Sequence, residues 1–178
     1  MGGKGWDTAR LRLRAPEPDD APFLSAMMTP AVSRWVASWP VSFSPGMAVE
    51  RITVARALAK KGMALPLVVE RRLDGVVLGW IGVARDAADG RRGSLGYWLG
   101  EEHQDRGYMR EAAPATVAAA FETLGLMVIE AAAQPGNAAS LAVLRGCGMV
   151  AMGERTVFAP ARGRDELCHL YEVTQRKP

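Results

Sequence analysis

Gln104-Asp105-Arg106-Gly107-Tyr108-Met109 sets a glycine in a polar turn between a short apolar run, Leu95 to Leu99, and a helix-prone segment, Arg110 to Leu124. A turn of this kind gathers backbone N–H groups at the start of a helix. There they have no partner within the helix, and the helix dipole adds partial positive charge. The chemistry this suits is anion binding, so a phosphate-bearing cofactor is expected. Gly107 stands where a tight turn brings bare backbone N–H groups together, forming the predicted cradle. A second polar group is Asn137-Ala138-Ala139-Ser140, where Asn137 is placed to cap a helix and Ser140 falls in its first turn. Groups able to move a proton stand at Glu101, Glu102, His103, Glu130, Glu154 and His169, and no spacing singles one out.

The elements around these residues follow from periodicity. Arg10-Leu11-Arg12-Leu13-Arg14 alternates as a half-buried strand does. Asp19-Asp20-Ala21-Pro22 opens a helix with Phe23, Leu24, Met27 and Met28 on one face. From Thr29 to Ser44 the pattern dissolves into aromatic residues, prolines and serines, a composition suited to walling a cleft or covering the core. Ser44-Pro45 caps a helix carrying Val49, Ile52, Ala55 and Leu58, and Gly62 stops it. Leu65 to Glu70 and Val76 to Val83 are β-branched runs joined through Asp74-Gly75, and Ser94 to Leu99 continues them as an antiparallel meander. After Gly107 the pattern alternates. A helix from about Arg110 to Leu124 is followed by a strand, Met127 to Ala132, then a helix, Ala138 to Arg145, then strands at Met149 to Met152 and Glu166 to Val173. The fold class predicted is α+β with a mixed sheet, in one domain over residues 1–178.

Composition narrows the function classes. Apolar residues make up 49% and charged residues 23% of 178 residues, which suits one globular domain. A net charge of +3 without long like-charge runs predicts no nucleic-acid partner. Cys147 and Cys168 lack C-x-x-C spacing, so neither a disulfide framework nor a metal site is expected. No run of apolar residues is long enough for a membrane span, and the N-terminus lacks a signal-peptide core; a soluble, cytoplasmic protein is predicted. A dinucleotide site is rejected because G-x-G-x-x-G and a downstream ribose acid are missing.

Taken together, the element order and motifs resemble the GCN5-related N-acetyltransferase (GNAT) superfamily, and within it the RimJ/RimL-type branch that acetylates ribosomal-protein N-termini. The cofactor signature Gln/Arg-x-x-Gly-x-Gly/Ala stands here as Gln104 to Met109. Tyr97-Trp98-Leu99-Gly100 and Gly107-Tyr108-Met109-Arg110-Glu111-Ala112 match the branch, as do Thr8-x-Arg10-Leu11-x-Leu13-Arg14 and Asn137-x-x-Ser140 followed by Gly148-Met149. The resemblance implies a sheet with splayed central strands and acetyl-CoA as co-substrate. Its pyrophosphate would lie on Gln104, Asp105, Arg106, Gly107, Tyr108, Met109 and Arg110. Its pantetheine would lie along the main chain of Trp98 and Leu99, with Asn137 and Ser140 across from it. Two departures stand out: Met109 replaces the final small residue, and Pro114 suggests a helix that begins late or kinks.

Many relatives protonate the leaving thiolate with a tyrosine seven residues after the asparagine, but here that position is Leu144. Ser140 is the residue the branch places near the sulfur, and it is carried over as proton donor. The base is left open, because an N-terminal amine titrates near 8 and water can relay its proton. Trp35, Trp39 and Tyr97 are candidates for an acceptor pocket or for core packing. The expected reaction is acetyl transfer to a primary amine, foremost a protein N-terminus. A small-molecule amine, or a catalytically silent CoA-binding sensor or scaffold, are the alternatives. The oligomeric state is not legible, and the resemblance is compatible with a homodimer.

Overall fold

The computed structural model describes residues 5–175. Its elements are β1 (Trp6–Asp7), β2 (Leu11–Arg14), α1 (Ala21–Met27), α2 (Pro30–Ser33), α3 (Pro45–Lys60), β3 (Ala64–Arg71), β4 (Val77–Arg85), β5 (Arg92–Leu99), α4 (Tyr108–Leu124), β6 (Val128–Ala133), α5 (Ala138–Gly146), β7 (Val150–Ala159) and β8 (Arg164–Thr174). The strands make one eight-stranded sheet in the order β1-β2-β3-β4-β5-β6-β8-β7. All neighbours are antiparallel except β5 and β6, which α4 connects as a parallel crossover. The α+β reading with antiparallel strands first and a β-α-β unit after is therefore the observed architecture.

Strand alternation divides the side chains between two cores, one on each face. Leu67 and Val69 join Leu11, Leu13, Leu95 and Leu99 beneath α4 and α5. Val68 points the other way, with Trp80 and Trp98, against Leu24, Ile52, Trp39 and Phe43 on the α1–α3 side. Local signals set the helix ends. Ser44 accepts the Met47 N–H at 3.2 Å to cap α3, and Asn137 accepts the Ser140 N–H at 3.1 Å to cap α5.

Three segments differ from the periodicity. The two-residue β1 is too short to show alternation, and it forms because Trp6 and Asp7 pair with Leu13 and Arg12. Within the irregular 29–44 stretch, Thr29 caps the single turn α2. Helix α4 begins at Tyr108, two residues before the expected Arg110, because Gly107 in the left-handed conformation (φ +75°) ends the loop there. Pro114 lies inside α4 rather than delaying its start. Its missing N–H deprives the Arg110 carbonyl of a helical donor, and Pro114 itself is exposed.

Candidate active site

The site is built on a fork in the sheet. β5 pairs with β6 only at Arg92, Gly93 and Ser94, opposite Val128, Ile129 and Glu130. Beyond that point β5 stays on β4 through Leu99, while β6 stays on β8 through Ala133. The two half-sheets diverge because each has a longer antiparallel partner on its outer side. Gly100 donates its N–H to Leu78 O at 2.9 Å. Strand alternation then turns the Trp98 main chain to β4, and those of Tyr97 and Leu99 to the open edge. The Trp98 side chain is buried in the second core, 5.0 Å from the Trp39 ring, and its indole nitrogen finds no hydrogen-bond partner among the described residues.

The predicted cradle sits where β5 runs out. A turn of 3-10 helix, Glu101–His103, leads into it, and Gln104 Nε2 donates back to Leu99 O at 3.0 Å. Asp105 (φ +57°) and Gly107 both have positive φ, a curl that points successive N–H groups inward. The first intrahelical bond of α4 is Glu111 N–H to Gly107 O at 3.2 Å. The N–H groups of Tyr108, Met109 and Arg110 find no acceptor among the described residues. Asp105, Arg106 and Arg110 are exposed around this loop, whereas Tyr108 and Met109 are buried in the main core. Met109 thus directs its bulk inward and leaves the loop mouth clear. A Cβ built on Gly107 would meet only Arg10 Nη2, at 3.5 Å, so space remains in front of the turn.

An anchor missing from the expectations holds this loop. Glu111 accepts from Thr8 Oγ1 at 2.6 Å, the Arg10 N–H at 2.7 Å and Arg10 Nε at 2.7 Å. Arg10 Nη1 donates on to Arg106 O at 3.0 Å, and its guanidinium lies 4.7 Å over the Tyr108 ring. Burial raises the Glu111 pKa, but the hydrogen bonds from Thr8 and Arg10 outweigh it and hold the carboxyl below its ordinary value. Glu111 and Arg10 both appear in the sequence motifs; nothing local shows that they meet.

Across the fork stands α5. Ser140 lies in its first turn, with its N–H on Asn137 Oδ1 and its Oγ 2.8 Å from the Tyr97 hydroxyl. Leu144 is fully buried beneath the same helix. Of the open aromatic candidates, Trp39 is core, edge-on to Phe43, Trp80 and Trp98. Trp35 instead lines an open cavity of about 480 Å³ with Arg34, Gln134, Gly136, Arg164 and Glu166. That cavity opens beside the turn leading to Asn137, and its lining residue Glu166 is held by Arg162. Arg162 grips Glu166 at 2.7 Å and donates to Ser33 O and Val36 O on the 29–44 segment.

The proton-moving candidates do not gather at the fork. Glu130 is paired with Arg92 at 3.2 Å and Arg155 at 2.8 Å. Glu154 faces His169 at 3.7 Å on the β7–β8 hairpin, and Glu101 accepts from Thr29. His103 is buried, and that burial depresses its pKa and favours the neutral ring. Among the described residues no group of three or more His, Cys, Asp or Glu is arranged to hold a metal, and no helix is long and apolar enough to cross a membrane.

The sequence model for the acetyltransferase (GNAT) domain matches residues 10–150, most of the chain, from β2 through the start of β7. The chain belongs to the GNAT acetyltransferase family. It is accordingly an acetyl-CoA-dependent acetyltransferase. N-acetyltransferase p20 of Bacillus licheniformis is 26% identical over 171 residues, covering 96% of each chain. Two solved structures show the same fold. The RimJ of Mycobacterium smegmatis, in complex with a CoA disulfide, has TM-score 0.81 and 24% identity over 92% of this chain and 81% of its own. The ribosomal-protein-S5-alanine acetyltransferase of Vibrio fischeri has TM-score 0.79 and 24% identity over 98% of this chain and 100% of its own. The family bears directly on the fork. Among the described residues, the β5 edge beyond Ser94 pairs with no strand, an N–H cradle lies at its end and a polar helix turn stands opposite. These fit the peptide-like pantetheine arm and pyrophosphate of acetyl-CoA.

Proposed function

We propose that this acetyltransferase transfers acetyl from acetyl-CoA to a primary amine, the N-terminal amine of a protein such as a ribosomal protein, by direct attack in a ternary complex. The observation that carries the reading is the fork, where β5 leaves β6 after Ser94 and runs to the Gly107 cradle. The Tyr108, Met109 and Arg110 N–H groups, with those of Asp105, Arg106 and Gly107, hold the pyrophosphate; Gln104 braces the loop through Leu99 O. The Leu99 N–H on the open edge receives the pantetheine, with the Leu99 carbonyl held by Gln104 and the Trp98 carbonyl engaged to β4 behind it. Asn137 fixes the first turn of α5, and Ser140 faces the sulfur from that turn.

Acetyl-CoA brings an activated acyl group. The protein's part is to orient it, to offer an N–H toward the developing oxyanion and to meet the departing thiol. A thiol of pKa about 8.5 leaves with modest help, so a serine hydroxyl suffices where Leu144 offers none. The amine enters past Trp35, along the cavity bounded by Gln134 and Glu166. The solved relatives named for ribosomal-protein acetylation share this fold, which supports a protein N-terminus as acceptor. Intact-mass measurement of short peptides with N-terminal Ser or Ala, incubated with acetyl-CoA beside a panel of small amines, tests it. Acetylated peptide is expected. Acetylation of small amines alone would overturn the protein acceptor, and CoA binding without any turnover would reduce the protein to a silent CoA-binding module.

A further inference from the structure

We propose that Tyr97 is a positioning residue that aims the Ser140 hydroxyl at the thioester sulfur. The inference rests on Ser140 being the group that meets the departing thiol. Tyr97 comes from β5, past the point where that strand has left β6, and its side chain packs against the main core. Its hydroxyl lies 2.8 Å from Ser140 Oγ and 3.3 Å from Ser140 O. Asn137 holds the Ser140 N–H at 3.1 Å. Ser140 is thus held at its nitrogen by Asn137 and reached from the other side of the fork by one phenol, nearer to its hydroxyl than to its carbonyl, which a serine merely filling a first turn does not require.

Either hydroxyl could donate across this contact, and the proposal takes Tyr97 as the donor. A serine hydroxyl has one proton and two lone pairs, and a phenol has one proton. When Tyr97 donates to Oγ, one serine lone pair is occupied and the serine proton is left for a third partner in the fork. Burial drives the Tyr97 pKa upward, so the phenol keeps the proton it donates. Leu144, fully buried, places no hydroxyl on the neighbouring turn of α5. The phenol beside Ser140 therefore comes from the strand.

In the reaction the amine nitrogen forms a bond to the acetyl carbon, the C–S bond breaks and its electron pair goes to sulfur. The Ser140 O–H, held by Tyr97, donates a hydrogen bond to that sulfur. The proton shed by the amine returns through solvent to make the thiol, so neither Ser140 nor Tyr97 is consumed.

The bound thiol reports this without any acceptor. The full chain, saturated with CoA, is titrated by ultraviolet thiolate absorbance after subtraction of the same titration without CoA, which removes Cys147, Cys168 and the tyrosines. Wild type, Tyr97→Phe, Ser140→Ala and the double variant are compared. A hydrogen bond to the thiolate makes it the favoured form, so the acid dissociation constant of bound CoA should fall about tenfold in Tyr97→Phe and at least as far in Ser140→Ala. The double variant should match Ser140→Ala, because Tyr97 acts through Ser140. CoA affinity and thermal midpoint should stay near wild type in Tyr97→Phe, which only loses a hydroxyl. An unchanged constant in Tyr97→Phe overturns the proposal, as does an equal loss on adding Tyr97→Phe to Ser140→Ala. An unchanged constant in Ser140→Ala removes the serine reading itself. Failure of the peptide acceptor leaves all of these readings untouched.

Discussion

The Glu111 carboxylate and the Arg10 guanidinium meet at 2.7 Å across 101 residues of sequence, and through Arg10 the contact reaches the Arg106 carbonyl at 3.0 Å. The start of α4 is in this way tied to the turn before β2. Replacing Glu111 with Ala removes an acceptor from the Thr8 hydroxyl and from two Arg10 donors. A loss of about 2 kcal/mol is expected in urea unfolding, with a severalfold rise in the Michaelis constant for acetyl-CoA as Arg106 loosens. Because its folded pKa is depressed, the contribution of Glu111 is present above the ordinary carboxylate range and lost as pH falls through the folded value. The stability gap between wild type and Glu111→Ala should therefore narrow on acidification.

Gly107 tests the cradle itself. A Cβ there has room, with Arg10 Nη2 at 3.5 Å, so the penalty comes from placing a side chain at φ +75°. Gly107→Ala should cost about 1 kcal/mol, and Gly107→Val more, since a β-branched residue resists that conformation. Both variants should stay folded by circular dichroism while acetyl-CoA binds about tenfold or more weakly in Gly107→Val, measured by calorimetry, a change of about 1.4 kcal/mol. Undiminished affinity would take the pyrophosphate away from this loop.

Gly79 tests the strand edge that faces the fork. Its Cβ would stand 2.2 Å from Trp98 O and 2.8 Å from Leu99 Cα, both backbone atoms of β5. β4 and β5 must then move apart, which should cost about 3 kcal/mol in Gly79→Ala. Hydrogen exchange should rise first in residues 95–99, and acetyl-CoA affinity should fall although Gly79 touches no cofactor.

Acid should release the cavity wall. Arg162 and Arg164 pull the Glu166 carboxyl from 4.5 down to about 2. A depressed pKa means that the stabilisation is complete above 4.5 and disappears as pH falls toward 2. Glu166→Gln should be less stable than wild type at neutral pH, and the difference should close within that window. Urea unfolding followed at several pH values reads this directly, and a pH-independent gap would contradict it.

Much of the architecture is legible locally. Ser44-Pro45 and Asn137 announce helix starts, Asp74-Gly75 announces a turn between strands, and Gly107 marks the curl before α4. Each depends on a residue's own conformational preference or on neighbours three or four positions away. The β-branched run from Leu65 to Glu70 reads as a strand, while its burial on two faces, Leu67 and Val69 in one core and Val68 in the other, is a finding of the structure. Less legible was the extent of β7, which runs to Ala159 because it pairs along β8 while most of its side chains face solvent. Its exposure pattern carries no alternation to read.

By itself, then, the sequence determined which backbone would curl, which helices would be capped and which faces would be apolar, because those are short-range choices of dihedral angle and burial. The tertiary structure decided who meets whom. The parting of β5 from β6 after Ser94, Tyr97 against Ser140, Arg10 against Glu111 and Trp35 over Gly136 all join segments distant along the chain. Such contacts are settled by how two cores stack on one twisted sheet, and no local periodicity records that stacking.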